Sequence, residues 1–108
     1  MYCEGNGTHW VFTTIGNGTV LYAVNFATYD PSHKDYFVLE TYKDGTRYVL
    51  SEWRIGAQGT YAGGVCFIDI IMPNIGNYLN QYYLYSWTDL NNDSKPQQNE
   101  IVLEVTGN

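Results

Sequence analysis

The chain has 108 residues, which is enough for one domain of ordinary size and too few for a catalytic domain joined to an accessory one. Eleven acidic and five basic side chains give a net charge of −6, which would repel phosphate backbones and anionic lipids. This charge argues against nucleic-acid and membrane-surface binding, and no stretch approaches the ~18 to 20 apolar residues of a membrane span. We therefore expect a single soluble domain over residues 1–108.

Short runs of β-branched and aromatic residues alternate with turn formers along the chain, as is typical of antiparallel sheets. Aromatic residues make up 17% of the chain and charged residues only 15%, and no window has a sustained apolar helical period. The pattern predicts seven strands, at residues 10–14, 20–28, 35–43, 47–53, 65–72, 78–88 and 100–106. The predicted fold is all-β, an antiparallel β-sandwich of immunoglobulin or fibronectin-III type, with a small open barrel as the alternative.

Turn and loop signals separate these strands. Residues 15–19 and the Asp44-Gly45 pair are predicted to form hairpin turns. The glycine-dense residues 54–64 indicate a loop or a bulged edge, and residues 65–72 indicate the most buried strand. In the last strand, alternate apolar residues are expected to share one face: Ile101, Leu103 and Val105.

One motif points to chemistry, an acidic loop of twelve residues at 89–100. It has oxygen-bearing side chains at its first, third and fifth positions and a glutamate at its twelfth, which is the spacing of the EF-hand calcium loop. Calcium takes six to eight oxygen ligands at ~2.3 to 2.6 Å, and a tight turn directs alternate side chains inward. The predicted calcium ligands are Asp89, Asn91, Asp93, the backbone carbonyl of Lys95, and Glu100 through both of its carboxylate oxygens.

Two features of this loop depart from the EF-hand pattern. The sixth position is Ser94, where the pattern has a glycine in a left-handed turn, and the flanking segments are predicted strands instead of helices. The alternative is a polar hairpin tip that binds no metal. We favour a calcium loop with a structural role, because the carboxylates of Asp89, Asp93 and Glu100 would repel one another without a cation.

The stretch YLYSWTDLNNDSKPQQNEIVLEV, residues 83–105, resembles segments of the fibronectin-like accessory domains of secreted subtilisin-like proteases, especially archaeal ones. In those domains a D-x-N-x-D loop also lies between two strands. The resemblance covers about a fifth of the chain. It implies a non-catalytic β-sandwich within a larger exported protein, with Asp89, Asn91, Asp93 and Glu100 as metal ligands.

A secreted or cell-surface location is also favoured by the polar composition, which relies on Asn, Thr, Gly and Ser more than on ion pairs. Three sequons for N-glycosylation begin at Asn6, Asn17 and Asn92. Because Asn-Gly is also a preferred hairpin turn, simple turn formation is the alternative for the first two.

The two cysteines, Cys3 and Cys66, allow a single disulfide. Such a bridge would close a loop of about 63 residues and would stabilise an exported domain by ~4 kcal/mol on the chain-entropy model. The alternative is that Cys66, within the apolar run VCFIDII, is a small buried hydrophobe. The sequence leaves both alternatives open.

Catalysis finds little support in the sequence. His9 and His33 have no metal-ligand spacing, and no serine lies in a G-x-S-x-G elbow. Glu40 and Glu52, on paired strands, are expected to face solvent. We therefore expect a protein that is not an enzyme.

The expected function is that of a calcium-stabilised accessory or interaction module, which docks on another domain of the same secreted protein or on a surface partner. One alternative is a carbohydrate-binding module that presents a planar row of exposed rings to a polysaccharide. Another is a self-assembling surface filament subunit that donates a strand such as residues 10–14.

Overall fold

Two antiparallel sheets form the body of the protein in the computed structural model, which describes residues 2–14 and 18–107. The three-stranded sheet has the order β1 (Tyr2–Gly5), β2 (His9–Thr13) and β3 (Val20–Asn25). The four-stranded sheet has the order β5-β4-β6-β7 and consists of β4 (Lys34–Asp44), β5 (Arg47–Arg54), β6 (Gln81–Thr88) and β7 (Ile101–Gly107). The predicted all-β antiparallel sandwich of about seven strands is confirmed.

The hairpins follow the turn signals of the sequence. Strands β4 and β5 pair in one continuous register around Asp44-Gly45, where Gly45 has a φ of +63°, a conformation that glycine adopts without steric cost. Strands β2 and β3 also pair as predicted, while residues 15–17 of their predicted turn lie outside the described residues. Strand β2, considered above as a donor strand, is paired on both sides within this chain.

The central segment, predicted as a loop followed by the most buried strand, is helical instead. Helix α1 spans Ala57–Cys66 and continues as a π-helical turn, Phe67–Ile71, and a 3-10 helix, Met72–Asn77. The predicted loop at 54–64 and the predicted strand at 65–72 are therefore wrong, and the seventh strand is β1. The buried residues of α1 recur with helical spacing, but all of them are small: Gly59, Ala62, Gly63 and Cys66.

This stripe of small residues brings the backbone of α1 against the four-stranded sheet. A Cβ atom added to Gly59 would lie 2.7 Å from the carbonyl oxygen of Tyr36, closer than real Cβ contacts. A Cβ atom on Gly63 would overlap the carboxyl group of Glu52. The backbone contact at Gly59 therefore requires a residue without a side chain, while a side chain at position 63 would force the Glu52 carboxyl to move.

A buried carboxylate, that of Asp35 on β4, holds the beginning of α1. Its Oδ2 accepts the N–H of Gly59 at 2.7 Å, and its Oδ1 accepts the N–H of Gly56 at 3.3 Å. Oδ1 also accepts the hydroxyl of Tyr29 at 2.7 Å and the N–H of Tyr36 at 2.9 Å. An anion is favoured at this end of a helix, where the first N–H groups have no partner within the helix.

Alternate side chains of β4 and β6 enter two separate cores, one on each face of the four-stranded sheet. Phe37, Leu39 and Trp87 pack beneath the helical segment with Ala62 and Ile71. On the opposite face Val38 and Leu84 pack with Phe12 of the three-stranded sheet. The four-stranded sheet is therefore covered on both faces.

Strand β7 does not present its alternate apolar residues to a single face. The pairing of β6 with β7 shifts register between Leu84 and Tyr85. As a result Ile101 packs in the core beneath the helix, while Val105 packs in the core between the two sheets. The prediction of one shared face for Ile101, Leu103 and Val105 is wrong, because a bulge reverses the alternation.

The disulfide alternative for Cys3 and Cys66 is also wrong, since both are free thiols. Cys3 packs against the core between the sheets and Cys66 lies in the core beneath the helix, so the four-stranded sheet separates them. Burial raises the pKa of the Cys3 thiol to about 11 and that of the Cys66 thiol to about 12. Both thiols are therefore protonated and unreactive near neutral pH.

Replacing Asp35 by alanine should lower the free energy of unfolding by about 3 kcal/mol, because its four donors would lose a charged acceptor in a buried site. Urea unfolding monitored by tryptophan fluorescence measures the loss. Asp69→Ala, an exposed carboxylate on the helical segment, is the matched control and should change stability by less than about 0.5 kcal/mol. Similar values for the two variants would contradict the role given to Asp35.

Candidate functional site

The acidic loop, residues 89–100, joins the inner strand β6 to the edge strand β7 and ends in a 3-10 turn, Gln98–Glu100. Two contacts fix its position on the rest of the protein. The N–H of Asp89 donates to the carbonyl of His33 at 2.8 Å, just before β4. The side-chain amide of Gln58, on α1, donates to the carbonyl of Ser94 at 2.7 Å.

Three of the predicted ligands come together in this loop. Asp89, Asp93 and Glu100 each place one carboxylate oxygen within 4.8 Å of the other two. Two ligands on opposite sides of a calcium ion are separated by twice the bond length, about 4.6 to 5.2 Å. The spacing of the three carboxylates therefore suits a single metal ion.

Asp89 has an oxygen that the loop itself does not satisfy. Its Oδ2 accepts the N–H of Ser94 at 2.9 Å. Its Oδ1 is buried and has no hydrogen-bond partner within residues 2–14 and 18–107. A buried carboxylate oxygen without a partner is costly, and a bound cation is one way to remove that cost.

Glu100, in contrast, is already engaged by the loop. It is only 2% exposed, and its Oε1 accepts the indole N–H of Trp87 at 3.3 Å and the N–H of Gln97 at 2.9 Å. Its Oε2 accepts the N–H of Leu90 at 2.6 Å. A carboxylate has about four lone-pair positions, so Glu100 in this arrangement has room for one metal bond instead of the expected two.

The remaining predicted ligands surround Asp93. The side-chain oxygen of Asn91 accepts the N–H of Asp93 at 3.3 Å, and its amide donates to Oδ2 of Asp93 at 3.2 Å. The N–H of Lys95 donates to Oδ1 of Asp93, and this bond is the main cause of a lowered pKa for that carboxyl. Ligation by the Asn91 side chain and by the Lys95 carbonyl stays a prediction.

The sixth position of the loop has the backbone that the EF-hand pattern requires, although its residue is not glycine. Ser94 has a φ of 59°, in the left-handed region, and Asn92 has a φ of 63°. A residue with a Cβ atom adopts this conformation at a cost of roughly 1 kcal/mol, which asparagine tolerates better than serine. The serine therefore makes the turn more costly without preventing it.

Two of the three sequon asparagines, Asn6 and Asn92, are exposed, and Asn17 lies outside the described residues. Oδ1 of Asn6 accepts the N–H groups of Thr8 and His9 at 3.1 and 2.9 Å, which closes the turn between β1 and β2. Turn formation by this first Asn-Gly pair is confirmed. Glycosylation of the three asparagines stays a prediction.

A second feature, which the sequence did not indicate, is a cleft at the end of the edge strand β5. Glu52, Trp53 and Arg54 line it together with Thr60 of α1, and its volume is about 310 Å³. Glu52 was expected to face solvent, but its Oε1 is buried beside Gly63 and has no hydrogen-bond partner within the described residues. That expectation is wrong because α1 covers this part of β5.

Burial raises the pKa of the Glu52 carboxyl to about 7, against an opposing effect of the nearby Arg54 guanidinium. The carboxyl therefore exists in both protonation states near neutral pH. The buried position of Glu52 could have been inferred from one signal in the sequence, the glycine stripe of α1, because that stripe predicts a helix packed closely over the sheet.

Comparisons with protein-family models, with curated proteins and with solved structures find no match to this chain. Within residues 2–14 and 18–107, no helix is long and apolar enough to span a membrane. The geometry of the acidic loop and of the β5 cleft is therefore the basis for inferring a function.

Replacing Ser94 by glycine should raise the free energy of unfolding by about 0.5 to 1 kcal/mol, because glycine adopts the left-handed turn without steric cost. The change keeps the backbone N–H and C=O that bond to Asp89 and Gln58. Ser94→Ala is the control, since it removes the hydroxyl and keeps the Cβ atom. Equal stability of the two variants in a urea titration would argue against strain at this turn.

The wild-type protein should lose stability relative to Glu52→Gln as the pH rises from about 4.5 to about 7. The folded state holds the Glu52 proton to a higher pH than the unfolded state does. The stabilisation that results is complete below pH 4.5 and is lost as the pH rises above about 7. Thermal melts at pH 4, 6 and 8 measure the difference between the two proteins. Glu4→Gln, at an exposed position on β1, is the control and should show no such trend.

Proposed function

We propose that this chain is a non-catalytic β-sandwich accessory module of a secreted or cell-surface protein, and that calcium bound by the acidic loop stabilises it. The observation that carries the proposal is that Oδ1 of Asp89 is buried beside the carboxylates of Asp93 and Glu100 and has no hydrogen-bond partner in the described part of the chain. Buried polar atoms in proteins usually have partners, so an orphan among three acidic groups favours a cation.

The chemistry of the donors favours calcium over other common metals. The acidic cluster of Asp89, Asp93 and Glu100 offers only oxygen, whereas zinc sites usually contain histidine or cysteine. The loop around it is irregular, with left-handed residues at Asn92 and Ser94. Calcium accepts irregular coordination by six to eight oxygens, while magnesium demands a nearly ideal octahedron at shorter distances.

The flanking strands support a structural role for the ion. Trp87 of β6 and Ile101 of β7 are paired across the base of the loop, and the indole of Trp87 also donates to Glu100. Paired strands cannot swing apart as the two helices of an EF-hand sensor do. A cation here would hold together the loop between two fixed strands.

An accessory role agrees with the exposed surface of the helical segment. Tyr61, Ile68 and Met72 are 54%, 59% and 53% exposed, and they lie on the side away from the sheet. Apolar side chains on this surface support docking against another domain of the same protein or a surface partner. The imidazole groups of the two histidines make their polar contacts locally, His9 with Thr8 and His33 with Asp30.

Calcium at a hundred times its dissociation constant should stabilise the wild-type protein by about 2.7 kcal/mol, which corresponds to several degrees in melting temperature. Thermal melts in calcium and in chelator measure this shift. Asp89→Asn should abolish most of it, because it replaces the unpaired oxygen and removes one of three ligand charges.

Asp69→Asn is the matched control for charge, since Asp69 is exposed and lies outside the loop, and this variant should keep the full calcium shift. Magnesium at the same concentration should produce a smaller shift than calcium. Identical melting temperatures of the wild type with calcium and with chelator would refute the proposal.

A further inference from the structure

We propose that two copies of this chain pair through the free edge of β5, in an antiparallel dimer whose four-stranded sheets join into one continuous sheet. Strand β5, Arg47–Arg54, has β4 on one side and no strand of the described residues on the other. The proposal does not depend on calcium, because β5 lies outside the acidic loop.

Alternate residues of β5 direct their backbone groups away from β4. In an antiparallel pair, every second residue exchanges both of its backbone hydrogen bonds with its partner. The N–H of Ile55 donates to the carbonyl of Tyr36, and the continuous register extends this bonding to the odd-numbered residues of β5. The even-numbered residues therefore direct their N–H and C=O groups to the free edge, where these groups have no partner within residues 2–14 and 18–107. In the middle of the strand these residues are Tyr48, Leu50 and Glu52.

The other edge strands of the two sheets have features that limit such pairing, whereas β5 does not. Strand β1 has four residues, and β3 and β7 pair with their neighbours through register shifts. Short edge strands, bulges, proline and lysine are common means by which proteins prevent pairing between edges. Strand β5 has eight residues in one continuous register and contains neither proline nor lysine. It is therefore the edge best suited to pairing.

The sequence of β5 is complementary to itself when two copies run antiparallel with Leu50 opposite Leu50 of the second copy. In that register Tyr48 lies opposite Glu52 of the second copy, and Arg47 lies opposite Trp53 of the second copy. The outward backbone groups then form about six hydrogen bonds, two for each of three residue pairs. No charged residue of β5 meets a like charge directly opposite, although each chain has a net charge of −6.

The exposed apolar side chains of β5 also favour a second copy of the same strand. Tyr48, Leu50 and Trp53 are 50%, 41% and 43% exposed. Alternate side chains lie on opposite faces of a sheet, so Tyr48 and Leu50 share the helix-covered face and Trp53 lies on the face toward Tyr2 of β1. Pairing brings Leu50 against its equivalent on one face and an arginine against Trp53 on the other.

The second copy supplies a donor to the Glu52 carboxyl as well. Oε1 of Glu52 is buried and has no hydrogen-bond partner among the described residues, and the carboxyl lines the cleft at the end of β5. Tyr48 of the second copy, opposite Glu52 and on the same face, brings a phenol hydroxyl to this side of the sheet. Two-fold symmetry repeats each contact, and the assembly closes at two copies because each uses its single β5 edge.

The test is sedimentation equilibrium of the full chain in calcium buffer from about 10 μM to about 1 mM, which detects dissociation constants from micromolar to millimolar. The average mass should rise from that of one chain toward that of two and no further. Amide hydrogen exchange, measured by NMR at both ends of this range, should slow about tenfold or more at high concentration for the outward amides of Tyr48, Leu50 and Glu52.

Two variants at one position test the edge directly. Leu50→Lys places like charges opposite each other at the two-fold axis and should raise the dissociation constant by about tenfold or more. Leu50→Pro removes an outward N–H without taking a bond from β4 and should have the same effect. Leu103→Lys is the matched control, because Leu103 is 46% exposed on the other edge strand, β7, and this variant should dimerise as the wild type does.

The amide spectrum of each variant shows whether it is folded. A mass of one chain up to about 1 mM would overturn the proposal, and so would equal weakening by the two lysine variants. Assembly beyond two copies would also overturn it, because an isologous contact closes. A dimer whose outward β5 amides stay unprotected would instead be held together by the exposed side chains of the helical segment, which are Tyr61, Ile68 and Met72.

Discussion

The close approach of helix α1 to the four-stranded sheet is the constraint on which both candidate sites depend. Gly59 and Gly63 leave room for that approach, and the buried Asp35 carboxylate fixes the first turn through the N–H groups of Gly56 and Gly59. A larger residue at position 59 would meet the Tyr36 carbonyl and displace the helix from β4. Because the helix supplies a side chain to each site, its displacement would change the acidic loop and the β5 cleft together.

The carboxyl groups with buried oxygens fall into two kinds, which differ in how completely the protein itself satisfies them. Asp35 has four donors and Glu100 has three, so each is satisfied by the protein itself. Asp89 and Glu52 each keep a buried oxygen without a partner in the described part of the chain. Buried oxygens without a partner are rare in folded proteins and costly. A cation, a proton or a ligand group bound at such an oxygen therefore contributes most to stability.

The sequence predicted the strands and turns well, because an alternation of apolar residues with period two and an Asp-Gly turn are local signals. It also placed Asp89, Asp93 and Glu100 in one cluster through their spacing alone. The prediction from sequence failed at α1. The residues that α1 buries recur with helical spacing, but what they share is small size and not hydrophobicity, so the glycines indicated a loop. The buried position of Glu52 and the two-sided packing of β7 depend on the helix and on a bulge, which no local pattern in those strands reveals.

Two polar side chains of α1, one on each side of its buried stripe, form hydrogen bonds to different parts of the four-stranded sheet. Gln58 and Thr60 are about 200° apart around the helix axis, on either side of Gly59. Gln58 donates to the Ser94 carbonyl of the loop between β6 and β7, and Thr60 accepts from Arg54 on β5. One end of the sheet thus carries the acidic loop and the opposite edge carries the cleft, with a single short helix bonded to both. In a sheet covered on both faces, such a helix is a physical connection between the acidic loop and the cleft.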